Sequence, residues 1–489
     1  MKNMLLFALF IGSINAFSQQ SELPVIFITC ADSIVDEPKV PATFRMIESN
    51  GNSISENIGI ETRGGSSQVL YTKQSYRIGF KDTEGNNKDV SLLGLRSDDD
   101  WDLRATPSDI LRINEKTANE IWQRLNHLHY QSLEPAAINC RRGKYAELFL
   151  NGDYMGVYQV TEPVDRKQLK LKKFNETKGG IRGELFKSNG WGLANYRVCP
   201  PYVDNSYIWD GGGGNFESVY PKNVYPEWKD LYDFVHCVVH DYDNQFYTNW
   251  KNYFDEENAI DYFIYLNLAS ANDNYSNNLY IARYDIGYKY FYIPRDYDGA
   301  FGQNWNMTKD TVLDNILVNG MYERLLKDNS EGCFVQKMHK RWQELRNTWM
   351  TVEGIMEMFH YNYDYLLENG VYEREEQRWV NIENPRSEYD RWHFDNQYID
   401  YMADWLAKRI DFLDNEFNYT TGIEKIDSRS MSCPCVANIY NLTGSLVRTI
   451  HSLNPPDKEL FANLQRGVYI VIIKSIHSNE IQREKVIVR

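Results

Sequence analysis

Hydrophobic and polar residues alternate with the period of β-strands over the first part of the chain. PVIFITC, ISENIGIETRG and QSYRIGFKD, all within residues 24–82, alternate or cluster β-branched residues, and ESNGNS and DTEGNN supply turns between them. KYAELFLNGDYMGVYQVTEPV adds a hairpin in which Asn151-Gly152 is the two-residue turn. These patterns predict a strand-rich first part.

Helical spacing takes over further along the chain. Pro107-Ser108-Asp109 is a helix-start signal, and apolar residues from Ile110 to Leu125 follow at near-helical intervals, so we predict that a long helix begins at Pro107. PEWKDLYDFVHCVVHDY, AIDYFIYLNLAS and much of residues 331–418 also favour helices. The fold class is therefore α+β, with strands first and helices second.

Both ends of the chain carry patterns of their own. Residues 1–18 combine one Lys, an apolar run and the small-residue site Ala16-Phe17-Ser18, which predicts a secretory signal peptide; a buried N-terminal strand is the alternative. Residues 421–489 contain short strands separated by turns, which predicts a small all-β sandwich. No later stretch approaches eighteen consecutive apolar residues, so we expect no integral membrane segment in the mature chain.

Composition narrows the possible functions. The net charge of -15, from 53 basic and 68 acidic residues, argues against nucleic-acid binding and against polybasic membrane docking. Seven cysteines without repeated spacing predict neither a disulfide framework nor a zinc site. An aromatic content of 14% keeps a sugar-handling function open, as do residues 187–225, whose Gly, Asn and Tyr predict a long surface insertion.

One stretch carries a candidate site for phosphoryl transfer. ASANDNYSNNLYIARYDIGYKYFYIPRDYDGAFG places Asp273 five residues before Asn278, continues with a predicted strand pair and ends at Asp296 and Asp298. An ATP-dependent phosphotransferase needs this order, with an Asp that orients the acceptor hydroxyl and then an Asn and a second Asp that hold the metal ion. Oxygen ligands of this kind suit Mg²⁺. An ordinary Asp-rich polar loop is the alternative.

The surrounding elements match a protein-kinase-like fold with two lobes. The hairpin at Asn151 supplies the fourth and fifth strands of a β-rich first lobe, TEPV its hinge and the helix after Pro107 its long helix, ahead of a helical second lobe. The usual H-R-D is absent, since Ala271-Asn272 precede Asp273, and no G-x-G-x-x-G loop precedes a strand Lys.

Several motifs resemble those of a known family. IETRGGSSQVLYTKQSYRIGF, LLGLRSDDDWDLRATPSDILRINEKTANEI, AELFLNGDYMGVYQVTE and PRDYDGAFG are similar to motifs of the CotH (spore coat protein H) family of atypical secretory protein kinases. For residues 19–420 the resemblance implies a kinase-like domain with a shortened phosphate-covering loop. It also implies ATP and Mg²⁺ (or Mn²⁺) as cofactors, and Ser or Thr of exported or cell-surface proteins as acceptors.

The resemblance implies roles for individual residues. Asp273 takes the catalytic position, Asn278 and Asp296 bind metal and nucleotide, and Asp298 supports a second ion. The remaining positions of the nucleotide pocket are Arg63, Glu162 and Lys73, the last of which contacts phosphate, and Arg112 on the long helix bridges the lobes. The chain departs from the family pattern at Gly65, Gln74 and Arg295, which leaves a catalytically inactive member open.

The C-terminal residues resemble a second family. ANIYNLTGSLVRTI, FANLQRGVYIVII and EKVIVR are similar to the sorting domain of the type IX secretion system; an ordinary adhesion module is the alternative. The resemblance implies the type IX machinery as a partner and, with the signal peptide, a secreted or outer-surface location.

The second hypothesis for function is a catalytically degenerate, surface-displayed binding module for glycan or protein. It is motivated by the aromatic content and by Trp191 and Trp209 in the insertion. A glycoside hydrolase is a weaker variant, since it needs two carboxylates at a set separation.

Overall fold

The computed structural model describes most of the chain. The described ranges are 22–178, 180–188, 190–202, 216–222, 228–419, 435–441, 445–452, 467–475 and 481–488. The chain divides into two compact units, Met1–Leu413 and Asp414–Arg489. The predicted signal peptide at residues 1–18 and the predicted domain boundary at residue 421 both lie outside the described residues.

Seven strands of the first unit close into a barrel. The strands of this region, in chain order, are β1 (Val25–Cys30), β2 (Val40–Ile47), β3 (Ser53–Arg63), β4 (Ser75–Lys81), β5 (Val90–Ser91), β6 (Ser97–Asp98), β7 (Asp100–Arg104), β8 (Gly143–Leu150) and β9 (Asp153–Thr161). Hydrogen bonds join seven of them in the order β1-β2-β3-β4-β7-β9-β8, and β8 closes the barrel by pairing in parallel with β1. The predicted hairpin is confirmed, because β8 and β9 pair antiparallel across Asn151-Gly152.

Alternating residues of these strands fill the barrel. Ile60, Ile78, Trp101 and Leu103 are completely buried and belong to one hydrophobic cluster, because every second side chain of a strand faces the same side. Burial of each such side chain contributes roughly 1.5–3 kcal/mol. The alternation seen in the sequence is therefore what stabilises the barrel.

The long helix begins later than the sequence predicted. The two helices of this region are α1 (Ser66–Leu70) and α2 (Asn114–Leu125). The start at Asn114 rather than Pro107 corrects the prediction. Arg112 has a left-handed φ of 59°, which interrupts a helix. The carboxylate of Asp109 accepts a hydrogen bond from the Asn114 N–H at 2.7 Å, so it satisfies a free donor of the first turn.

The rest of the first unit is mainly helical and contains a second sheet. Its helices are α3 (Arg166–Leu169), α4 (Lys229–His240), α5 (Asp243–Tyr253), α6 (Glu256–Ala269), α7 (Gly320–Leu325), α8 (Phe334–Arg346), α9 (Val352–Glu368), α10 (Val371–Trp379) and α11 (Tyr398–Glu416), the last of which runs past Leu413. Its strands are β10 (Glu184–Ser188), β11 (Phe216–Tyr220), β12 (Leu279–Arg283) and β13 (Tyr290–Pro294), in the order β11-β10-β12-β13.

This sheet confirms one prediction and corrects another. The predicted strand pair is β12 and β13, antiparallel with Leu279 opposite Pro294. Residues 187–225 were predicted to be a surface insertion, but part of this range belongs to the folded sheet: β11 pairs with β10, and Phe216 is completely buried. Within the described ranges, no helix combines the length and apolar character that crossing a membrane requires.

The second unit contains an antiparallel sheet. Its strands are β14 (Cys435–Asn441), β15 (Leu446–Ser452), β16 (Gly467–Ser475) and β17 (Ile481–Val488), in the order β15-β14-β16-β17. A sandwich needs two packed sheets, and the described residues of this unit form one, so the sandwich stays a prediction. The α+β class is confirmed. The two-lobed, kinase-like arrangement also stays a prediction, since the strand-rich part is a closed barrel.

Candidate functional site

The predicted catalytic aspartate lies in a loop that leaves helix α6. The helix ends at Ala269, and the next residue, Ser270, has a left-handed φ of 49°. Asn274 then donates hydrogen bonds to the carbonyl oxygens of Asn278 at 3.0 Å and Arg295 at 2.7 Å. These bonds fasten the loop to the ends of β12 and β13, and they hold the partly buried Asp273 beside that edge of the sheet.

Asn278 and Asp296 leave the same end of the strand pair. Asn278 directly precedes β12 and Asp296 follows β13, and the Arg295 N–H donates to the Asn278 carbonyl at 3.1 Å. Both residues have a left-handed backbone, with φ of 45° and 62°, which Asn and Asp adopt more readily than other non-glycine residues. Such conformations cluster at functional sites. The structure therefore brings Asp273, Asn278 and Asp296 to one edge of the sheet.

Three carboxylates at this edge influence one another. Burial and the charge of Asp296 raise the pKa of Asp273. Burial, reinforced by Asp296, raises the pKa of Asp298 to about 7. Burial also acts to raise the pKa of Asp296, but Arg104 and Arg295 outweigh it and hold that pKa well below its usual range. Asp296 is therefore ionised throughout the neutral pH range.

The residues of this edge fit a divalent metal ion. The hydrogen bonds that the described residues make to Asn278 use its backbone carbonyl, so its side-chain oxygen could act as a metal ligand. Mg²⁺ prefers one or two carboxylates together with phosphate oxygens. Asn278 and Asp296 provide that donor set, and Asp298 adds a second carboxylate.

A guanidinium group connects this edge to the barrel. Arg104, the last residue of β7, lies 2.7 Å from Asp296 and also pairs with Glu115 in the first turn of α2. The second oxygen of Glu115 pairs with Arg141. Glu115 is completely buried, and a buried charge without its partner is costly. Because Arg104 would leave the Glu115 carboxylate uncompensated if it moved away, these ion pairs hold Arg104 in place.

Sequence reasoning missed Arg104 and Glu115. The signal that could have found them is the combination of DWDLR, a strand ending in Arg, with a Glu in the first turn of the next helix. Protein kinases use a strand Lys and a helix Glu in the same order. A Lys was the only residue expected at the strand position, so Arg104 and Glu115 were not recognised as the pair.

The segment before α2 is fastened to the loop that carries Asp298. The hydroxyl of Ser108 bonds to Asp298. Gln303 donates to the carbonyl oxygens of Ser108 at 2.8 Å and Asp298 at 2.9 Å, and Asn114 donates to that of Ala300 at 3.1 Å. These bonds align the start of α2, and hence Glu115, with the carboxylate edge.

Lys73 is engaged by partners outside this cluster. Its ammonium group lies 2.6 Å from Glu375 of α10 and donates to the Val157 carbonyl at 2.8 Å, and its exposed fraction is 3%. Burial lowers the pKa of Lys73 to about 7 in spite of Glu375. The other oxygen of Glu375 pairs with Arg112 at 3.1 Å. Arg112 precedes α2 instead of lying on it, and with Lys73 it joins the barrel to α10; the phosphate contact of Lys73 stays a prediction.

Arg63 and Glu162 also have their own partners. Arg63 lies 3.2 Å from Asp102, and burial lowers its pKa to about 10, with a further contribution from the charge of Arg104. Glu162 is completely buried and accepts hydrogen bonds from Arg142 at 2.7 Å and from the Arg96 N–H at 2.7 Å. Glu162 lines a cavity of about 670 Å³ with these two arginines. Their predicted nucleotide contacts stay predictions.

The fold and the site together define a class of protein. It is an α+β protein in which an Arg–Glu pair connects a strand-rich barrel to an edge with Asp, Asn and Asp, an arrangement similar to the Lys–Glu pair and the Asp and Asn residues of protein kinases. The family model described as CotH kinase protein matches residues 60–413, and the chain belongs to this family. Membership indicates kinase-like phosphotransferase activity. No curated protein matches the chain.

Proposed function

We propose that this protein is a secreted kinase that transfers the γ-phosphoryl group of ATP to Ser or Thr hydroxyls of exported or cell-surface proteins. The observation that carries the proposal is the contact of Arg104 with both Glu115 and Asp296. Active protein kinases need a Lys on the strand before their long helix, a Glu partner on that helix and a metal-binding Asp; here an Arg stands in the place of the Lys. Arg104, Glu115 and Asp296 supply these three groups.

Each residue of the site then has its own task. Asp273 orients the acceptor hydroxyl and accepts its proton as the hydroxyl oxygen bonds to the γ-phosphorus, while the bond from that phosphorus to the bridging oxygen of ADP breaks. Asn278 and Asp296 would hold Mg²⁺ or Mn²⁺, with Asp298 beside them; the bound ion neutralises phosphate charge. Arg104 contacts a phosphate oxygen from the barrel side, in the role that the sequence suggested for Lys73.

The order of elements in the barrel supports a kinase-like first lobe. β3 and β4 are joined through Gly64, Gly65 and the short helix α1, at the place where kinases carry the glycine-rich loop that covers the phosphates. The strand that ends in Arg104, the helix with Glu115 and the hairpin of β8 and β9 follow in kinase order. β9 then leads into Glu162-Pro163, the predicted hinge.

The proposal includes export. It is supported by the signal pattern at residues 1–18 and by the similarity of residues 421–489 to type IX sorting domains. The proposed partners are the type IX machinery and an exported protein substrate, and the proposed location is outside the cell or on its outer surface.

A degenerate binding module is the second candidate. One argument for it is the ion pair between Asp296 and Arg104. A metal ion would have to share the Asp296 carboxylate with a cation that is already there, which weakens metal binding. A second argument is Arg295, which stands where the family usually has Trp. Such a module would bind its partner without consuming ATP.

Thermal unfolding of the full chain with and without Mg-ATP separates the two candidates. Nucleotide at a hundred times its dissociation constant should stabilise the protein by roughly 2.7 kcal/mol. We expect the increase in melting temperature in the native chain and its loss in Asp296→Ala. Asp153→Asn changes an exposed carboxylate at the β8–β9 turn and is the matched control. Its melting temperature should rise with Mg-ATP as that of the native chain does. Absence of the increase in the native chain would favour the binding module.

A further inference from the structure

An exposed tryptophan lies beside the loop of Asp273. The ring of Trp191 packs on the ring of Tyr275, with centroids 4.9 Å apart and planes inclined at 53°. Tyr275 stands between Asp273 and Asn278 in the same loop. The exposed fraction of Trp191 is 45%, so a large part of the indole surface is open to solvent next to that loop.

Hydrogen bonds hold the segment before Trp191 on the loop. The hydroxyl of Ser188 accepts from the Leu279 N–H at 3.2 Å and donates to the Leu279 carbonyl at 3.1 Å. The Gly190 N–H donates to the side chain of Asn277 at 3.0 Å. The position of the indole relative to the loop is therefore set by contacts to residues on either side of Asn278.

The loop is also held from its other side. Asn319, which caps α7, donates to the Tyr275 carbonyl at 3.0 Å, and Tyr262 donates to the Asn274 carbonyl at 2.8 Å. A fixed aromatic surface loses little conformational entropy when a ligand covers it, which is one reason why Trp and Tyr dominate the binding energy of interfaces.

We propose that Trp191 and Tyr275 form an acceptor-binding surface that selects peptides with an aromatic or large aliphatic side chain next to the phosphorylated Ser or Thr. The inference rests on the proposed function and specifies its substrate. Binding of an apolar side chain is favourable in free energy because it removes the apolar surface of that side chain and of the indole from water. Glycine offers no such surface, and an acidic side chain would be repelled by the carboxylate of Asp273.

Four fluorescein-labelled peptides test the proposal, each with one Ser followed by Phe, Leu, Gly or Asp. With the full chain, Mg-ATP and these peptides, we expect kcat/KM to be at least tenfold higher for the Phe and Leu peptides than for the Gly and Asp peptides. Trp191→Ala should raise KM for the Phe peptide at least tenfold while leaving the KM for ATP and the melting temperature unchanged. Trp191→Phe should retain most of the preference.

Tyr242→Ala is the matched control, because Tyr242 is an aromatic residue with an exposed fraction of 79% that directly precedes α5. It should leave peptide selectivity unchanged. A preference that survives in Trp191→Ala, or no preference in the native chain, would overturn the proposal. Faster phosphorylation of a polysaccharide than of every peptide would overturn it as well.

Anisotropy of the labelled peptides without nucleotide makes the outcome independent of catalysis. Tighter binding of the Phe peptide than of the Gly peptide, lost in Trp191→Ala, supports the surface even if no phosphate is transferred. Absence of both nucleotide binding and transfer would refute the proposed kinase function, whereas equal peptide affinities in a chain that binds Mg-ATP would refute the acceptor surface alone.

Discussion

A guanidinium nitrogen of Arg104 lies 2.7 Å from the carboxylate of Asp296, although 192 residues separate the two in the chain. The same guanidinium pairs with Glu115, so one side chain connects the barrel, the long helix and the carboxylate edge. The contact shows that Arg104 neutralises Asp296; its proposed second task, binding phosphate, can be separated from the first by experiment.

Arg104→Gln should weaken Mg-ATP binding and slow transfer about 100-fold or more, because one preorganised donor to a developing charge contributes roughly 10²–10³ in rate. Arg104→Lys should retain more ATP affinity and transfer rate than Arg104→Gln but less than the native chain, since Lys offers a point charge in place of the planar guanidinium. Calorimetric titration with Mg-ATP and a transfer assay measure the two effects. Arg45→Gln, on an exposed position of β2, is the control. Normal ATP affinity in Arg104→Gln would limit Arg104 to its ion pairs.

Lys73→Met distinguishes the two candidate phosphate contacts. If Arg104 has that role, the variant should unfold more easily, because it loses the buried pair with Glu375, yet Mg-ATP should still raise its melting temperature. Loss of the nucleotide response in a folded Lys73→Met would instead support the contact that the sequence suggested for Lys73.

Glu375→Gln should lower the free energy of unfolding by about 3 kcal/mol or more, as expected when one partner of a buried ion pair is removed. Glu375 is completely buried and accepts from Lys73, Arg112 and the Val157 N–H. Urea unfolding measures the change. Glu376→Gln, its exposed neighbour on α10, should change stability little, and an equal loss in both variants would contradict the role of the pair.

Gly156→Ala should destabilise the protein far more than Gly85→Ala. Both glycines have a left-handed φ, of 91° and 85°, so both variants carry a backbone cost of roughly 1–2 kcal/mol. A Cβ at residue 156 would lie 1.9 Å from an oxygen of Glu375, whereas one at residue 85 would meet nothing within 4 Å. Comparing the two by urea unfolding isolates the steric conflict with Glu375; similar losses would show that Glu375 moves aside.

Asp109 should make stability depend on pH. Burial raises its pKa to about 7 from an ordinary value of 3.8. A carboxyl group with a raised folded-state pKa contributes stability that is fully present below the unfolded pKa and is lost as pH rises through the folded pKa. The native chain should therefore lose stability relative to Asp109→Asn between about pH 4 and pH 7.

Urea unfolding of the native chain and Asp109→Asn at pH 5 and pH 8 measures this difference. Asp153→Asn, at an exposed carboxylate, should differ from the native chain in free energy of unfolding by the same amount at both pH values. If the difference between Asp109→Asn and the native chain is also the same at both pH values, the raised pKa of Asp109 is contradicted.

The sequence by itself determined the features that depend on neighbouring residues. Alternation predicted β1, β3 and β4 of the barrel and the hairpin of β8 and β9 at Asn151-Gly152, but not β7. The order of Asp273, Asn278 and Asp296 required only a short strand pair to bring the three to one edge. Helix start signals were less reliable, because the left-handed Arg112 and the Asp109 cap moved the start of α2 to Asn114.

Only the tertiary structure decided which charges pair. Arg104 and Asp296 are 192 residues apart, and Lys73 and Glu375 are 302 apart. Local propensity and periodicity carry no information about such partners. A buried charge accepts whichever opposite charge the packing of distant elements brings within reach, because an uncompensated charge costs several kcal/mol. The closure of the barrel by β1 and β8 was hidden from the sequence for the same reason: a pairing between distant strands is fixed by the packing of the whole unit.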